Sequence, residues 1–146
     1  MRILALDHGT VRVGVAVSDE LQFIAQPLES IPAEPFDALV TRLQQLLKEK
    51  DVGTILIGLP RNMDGSSGPA AGKVQAFVAR LKEGVTVPIR LWDERLTSAM
   101  ANRVLIQGNV RRAARKQKVD AMAAALLLQS YLDAKSEVGS AQTSAR

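Results

Sequence analysis

Residues 3–6, Ile-Leu-Ala-Leu, form a short apolar run that stops on Asp7, and His8, Gly9 and Thr10 follow at once. Val13, Val15 and Val17 then alternate with Gly14, Ala16 and Ser18. The pattern predicts two strands joined by a tight turn, an antiparallel hairpin. It constrains the chain strongly, because a carboxylate at the tip of a central strand is costly to bury without a partner. Two explanations stand side by side. Asp-His-Gly-Thr is favourable turn chemistry, and Asp7 then only opens the hairpin. Alternatively, Asp7 ligates a metal ion or a metal-phosphate complex.

Downstream, Leu21–Ala25 reads as a third strand and Pro27–Pro35 as a connection. Phe36, Leu39, Val40, Leu43, Leu46 and Leu47 recur at helical spacing, which predicts an amphipathic helix over 36–50. Residues 54–59, Thr-Ile-Leu-Ile-Gly-Leu, are apolar on both alternating faces, as in a strand covered by helices on both sides. Residues 61–72 are rich in Gly, Ser, Asn and Asp and read as a loop, whose Gly-Ser-Ser-Gly stretch is either a lid or a solvated connection. Val74, Phe77, Val78 and Leu81 predict a second helix, and Ile89–Trp92 a further strand. Thr97 or Ser98 caps a helix to about Gln107, and Val119–Lys135 gives an Ala- and Leu-rich last helix. Early strands meander and later ones alternate with helices. The expectation is one α/β domain over 1–138, a mixed five-stranded sheet with helices packed on it, and a flexible tail over 139–146.

Composition removes several classes of chemistry. The chain has no cysteine, which excludes disulfides, zinc-thiolate sites and thiol catalysis and suits a reducing compartment. His8 is its single histidine, so a multi-histidine zinc site is impossible. No apolar run approaches a membrane span, and no basic-then-apolar leader opens the chain, so a cytoplasmic protein without membrane contact is expected. Between Leu96 and Val119 there are six basic residues and no acidic one, while the rest carries 13 basic and 15 acidic residues. The positive charge is therefore local, as on an anion-binding face, although a solvated surface run has the same composition. Arg111, Arg112, Arg115, Lys116 and Lys118 are the candidates to track a nucleic-acid backbone. Aromatic residues are only 3% of the chain, so base stacking is a poor recognition device and a duplex or branched shape a better one.

Strand ends carry the remaining polar chemistry. Asp7 ends the first strand, Arg61 follows the fourth, and Asp93, Glu94 and Arg95 follow the fifth. Asp120 sits in the first turn of the last helix, on the same stripe as Ala123, Ala124, Leu127 and Leu128, so it points to the sheet unless it only serves the helix dipole. Acids from a central strand, a later strand and a helix can hold Mg²⁺ or Mn²⁺ for phosphodiester cleavage. Arg12, Arg61 and Arg95 could then steady phosphates, although Arg12 and Arg95 could equally pair with nearby acids. His8 is either a group for proton transfer or a structural turn residue, and Trp92 is either a stacking platform or a buried ring.

These residues resemble a known family. Residues 7–19, Asp-His-Gly-Thr-Val-Arg-Val-Gly-Val-Ala-Val-Ser-Asp, are similar to the first motif of the YqgF, or RuvX, family of Holliday junction resolvase-like nucleases. Ile57-Gly58-Leu59-Pro60 with Met63-Asp64-Gly65-Ser66, Trp92–Ser98, and Lys118-Val119-Asp120 with the Leu128–Leu132 stretch resemble the second, third and fourth. The resemblance covers residues 2 to about 134 in order. It implies a ribonuclease H-like fold with helices on both faces of the sheet. It also implies a metal-dependent nuclease with its acids at Asp7, Glu94 and Asp120. The implied task is maturation of the 5′ end of small-subunit ribosomal RNA precursor, with branched DNA as the alternative substrate. A monomer or weak homodimer is expected. Ribonuclease H-type enzymes commonly place another acid near the end of the fourth strand; this chain has Gly58 and Leu59 there, with Asp93 or Asp64 as substitutes. Two other classes compete. One is a sugar kinase or actin-like phosphotransferase, which needs a second such domain. The other is a non-catalytic nucleic-acid-binding factor in ribosome assembly or transcription.

Overall fold

The computed structural model describes residues 1–60, 68–93 and 120–135. Its elements are β1 (Arg2–His8), β2 (Arg12–Ser18), β3 (Ala25–Pro32), α1 (Phe36–Glu49), β4 (Val52–Leu59), α2 (Pro69–Lys82) and β5 (Ile89–Asp93), and residues 120–135 are helical. The five strands form one sheet in the order β3-β2-β1-β4-β5. The two hairpin pairs are antiparallel, and β1-β4 and β4-β5 are parallel.

The first hairpin closes through Gly9, whose N–H donates to the Arg12 carbonyl at 2.9 Å. A Cβ on Gly9 would stand 2.5 Å from that same oxygen, so the turn admits no side chain there. The third strand lies further along than the sequence suggests. Residues 19–24 are a turn: Asp19 Oδ1 accepts the N–H groups of Phe23 (2.7 Å) and Ile24 (2.9 Å), and Gln22 takes φ 63°. The strand proper contains Pro27 and Pro32, tolerable because β3 is an edge strand. Likewise α2 begins at Pro69, inside the expected loop, because proline at the first helical position gives up an N–H that would have no partner anyway. Gly72 does not break it.

Side chains alternate across the sheet and build two cores. Leu4, Leu6, Val13, Val15, Ile55 and Ile57 pack under α1 and α2 with Leu39, Leu43, Val74 and Leu81. Ile3, Ala5, Ala16 and Leu56 pack under the 120–135 helix with Ala124, Leu127, Leu128 and Leu132. Helices therefore cover both faces, as expected. No described helix is long and apolar enough to cross a membrane.

Candidate metal and nucleic-acid site

Asp7 is 6% exposed and is, with Ser18, one of two buried polar residues among those described. It follows Ile3 and Ala5 in the alternation along β1, so its side chain shares their face, under the 120–135 helix. Its partner across the hairpin is Gly14, and the partner of Gly14 on β3 is Ser30. On the other side, one step past the Leu6–Ile57 pair brings Gly58 beside Asp7, and Gly58 pairs with Trp92. The row across the sheet is thus Ser30, Gly14, Asp7, Gly58, Trp92, with a glycine on each side of the carboxylate.

Gly14 is the seat of the helix. A Cβ built there would lie 2.0 Å from the Asp120 carbonyl oxygen and 3.1 Å from the Ala121 nitrogen. The helix backbone therefore rests directly on the strand beside Asp7. Ala121, Ala123, Ala124 and Ala125 are all buried and allow that approach. Asp120 Oδ2 also accepts from the Ser30 hydroxyl at 3.4 Å. Further along the helix, Gln129 accepts the Ala25 N–H and donates to the Phe23 carbonyl, both at 2.9 Å. Tyr131 meets Trp92 edge-on at 5.2 Å and accepts from Arg90 at 3.3 Å. Contacts on β2, β3 and β5 thus fix the helix, and with it Asp120, against the Asp7 face.

Arg12 lies on the same face, two residues before Gly14. Its Nη1 is shut from solvent and has no hydrogen-bond partner among the described residues, and the same holds for the Trp92 indole nitrogen. A guanidinium cannot shed its proton, so a buried nitrogen without an acceptor favours an anion there. No ion pair between Arg12 and an acid occurs among the described residues.

Two other candidates fall on the opposite face. His8 continues the Leu4, Leu6 alternation and packs at a tilt against the Phe77 ring of α2, with centroids 4.6 Å apart. Burial, then the Lys73 charge, push its pKa below the ordinary 6.5. It is a packing residue of the α2 core, away from Asp7. Asp93 pairs with Leu59, whose side chain belongs to the α1 and α2 core. It cannot stand in for an acid beside Asp7. Trp92 packs into the core under the 120–135 helix, in keeping with the buried-ring reading.

Glu94, Arg61, Arg95, Arg111, Arg112, Arg115, Lys116, Lys118 and Asp64 lie outside the described residues, as do the helix expected near 97–107 and the tail. Among the described residues no three potential ligands gather; Asp7 and Asp120 are the two acids brought to one face. Sequence reasoning passed over Ser30. The isolated Gly14 inside an apolar strand was the available signal, since such a glycine often marks close backbone approach.

The sheet order, with the central strand carrying the buried acid and helices on both faces, is that of a ribonuclease H-like fold. Its fold matches the RuvC protein of T. thermophilus solved with a Holliday junction substrate, with TM-score 0.54, 16% identity, and 92% and 95% of the two chains covered. It also matches the fowlpox virus Holliday junction resolvase, with TM-score 0.51, 15% identity, and 92% and 99% covered. The chain belongs to the RuvX family, described as Holliday junction resolvase, which it matches over residues 1–134. Relatives carrying the name "Putative pre-16S rRNA nuclease" include that of Thermoanaerobacter pseudethanolicus, 48% identical over 134 residues, with 91% of this chain and 96% of the relative covered. Another, from Geobacillus kaustophilus, is 48% identical over 137 residues, with 92% and 99% covered.

Proposed function

We propose that this protein is a metal-dependent endonuclease acting on structured nucleic acid, in 5′-end processing of small-subunit ribosomal RNA precursor in the cytoplasm. One observation carries the reading. The Asp120 backbone sits on Gly14, the cross-strand partner of the buried Asp7, so two acids far apart in sequence share one face. Carboxylate oxygens suit Mg²⁺ or Mn²⁺, which take few protein ligands and leave positions for phosphate and water. Asp7 and Asp120 put hard oxygen donors on one face, and the buried Arg12 nitrogen beside them favours an anion such as phosphate, so the residues present fit such an ion.

In this reading Asp7 and Asp120 hold the metal, and Glu94 completes the set. When bound, Mg²⁺ or Mn²⁺ polarises the scissile phosphate and activates water. Arg12 donates a hydrogen bond from its Nη1–H to a phosphate oxygen near the acids. Arg61 and Arg95 steady neighbouring phosphates. Arg111, Arg112, Arg115, Lys116 and Lys118 track the backbone without reading its sequence. A monomer or weak homodimer suffices for RNA trimming.

The family description and the 48% identical relatives support nuclease chemistry but name different substrates. The test is a side-by-side incubation of a small-subunit ribosomal RNA precursor and a synthetic four-way junction with Mg²⁺ or Mn²⁺, using wild type and Asp7→Asn. Metal-dependent trimming of the RNA, lost in Asp7→Asn, is the expected result. Preferential cutting of the junction would make the protein a resolvase. Binding without cleavage, equal in both proteins, would make it a non-catalytic assembly or transcription factor.

A further inference from the structure

We infer that Ser30 is a positioning residue for Asp120, aimed at it by a bulge in β3; the inference rests on the metal-site reading above. The register on β2-β3 is Val15 with Glu29 but Ala16 with Pro27, so Leu28 is an extra, unpaired residue. The bulge resets which side chains face which layer. Before it, Pro27 shares the face of Ala16, under the 120–135 helix. After it, Ser30 shares the face of Gly14, and Glu29 turns to α1, where its carboxylate takes Arg42 Nη2 at 2.7 Å and Nε at 3.0 Å.

Strict alternation from Pro27 would reverse this. Glu29 would then point under the helix beside Asp120, and two carboxylates in one partly buried place repel. The bulge instead delivers a hydroxyl, whose O–H donates to Asp120 Oδ2 at 3.4 Å. A hydroxyl donor fixes the rotation of a carboxylate without competing for a cation, as partners of metal ligands commonly do. Ser30, Gly14 and Asp7 lie in one row, so the hydroxyl restrains Asp120 from the side away from Asp7.

The test measures Mn²⁺ affinity from the electron paramagnetic resonance signal of free Mn²⁺, alongside kcat and KM on the RNA precursor. Ser30→Ala is expected to weaken Mn²⁺ binding roughly tenfold and lower kcat with little change in KM for RNA. Ser30→Thr, which keeps the hydroxyl, is expected to restore both. In an Asp120→Asn background Ser30→Ala is expected to add nothing, because the hydroxyl acts through that carboxylate. Ser30→Ala with wild-type Mn²⁺ affinity overturns the inference, as does an undiminished effect in the Asp120→Asn background. Mn²⁺ affinity that is indifferent to both Asp7→Asn and Asp120→Asn overturns the metal-site reading itself, and this inference with it.

Discussion

Replacing Gly14 with alanine should separate the seat of the helix from the chemistry it supports. The new Cβ would stand 2.0 Å from the Asp120 carbonyl oxygen, whereas ordinary contact begins near 3.4 Å. The obstacle is helix backbone, which cannot rotate aside, so the helix must retreat by about 1.4 Å or the strand must bend. Overpacking of this kind costs about 1–3 kcal/mol. That is within the roughly 5–15 kcal/mol that holds a domain together, so the variant should stay folded at room temperature. Its melting point should fall by roughly 2–4 °C per kcal/mol lost. Activity should suffer more, because a shift of about 1 Å in a reacting group can cost on the order of 100-fold in rate. The assay pairs thermal melting with metal-dependent cleavage of the RNA precursor. A Gly14→Ala protein with wild-type melting point and wild-type rate would refute the seating of Asp120 on β2. A lower melting point with an unchanged rate would show that the seat matters only for stability.

Other outcomes follow from the same geometry. Asp7→Asn should keep the fold, since it removes a buried charge, while cleavage falls by on the order of 10²–10³-fold; a folded variant with wild-type cleavage would remove Asp7 from the chemistry. His8 is held below its ordinary pKa of 6.5, so the unfolded chain binds its proton more readily than the native one. Stability from this group is complete above about pH 6.5 and is lost as pH falls from there through the lower folded-state pKa, and His8→Phe should flatten this part of the profile of thermal stability against pH. An unchanged profile would show that another group titrates there. Neutralising Arg111, Arg112 and Arg115 together should reduce the salt dependence of RNA binding by roughly 0.7–0.9 log units per lost contact, and an unchanged slope would exclude them from the interface.

Much of the fold was legible because the signals are local. The Val13, Val15, Val17 alternation and the leucine spacing of α1 report their own faces. The apolar 54–59 run correctly announced a strand covered on both sides. What resisted reading was non-local. Pro27 and Pro32 disguised β3, since the tolerance of proline there depends on its being an edge strand, which sequence does not display. The stripe below Asp120 correctly placed that residue toward the sheet. Its seat on Gly14 depends on register, as does the turning away of Asp93 and His8. The bulge at Leu28 shifts every later side chain of β3 to the opposite face, and nothing in residues 25–32 alone marks it.

Anomalous diffraction from crystals soaked in Mn²⁺ shows whether Asp7 and Asp120 share a metal ion. A shared site gives an anomalous peak within coordinating distance of carboxylate oxygens from both residues, roughly 2.0–2.2 Å away, and loses it in Asp7→Asn. Saturating Mn²⁺ with no peak at this site, or with a peak that persists unchanged in Asp7→Asn, would contradict it.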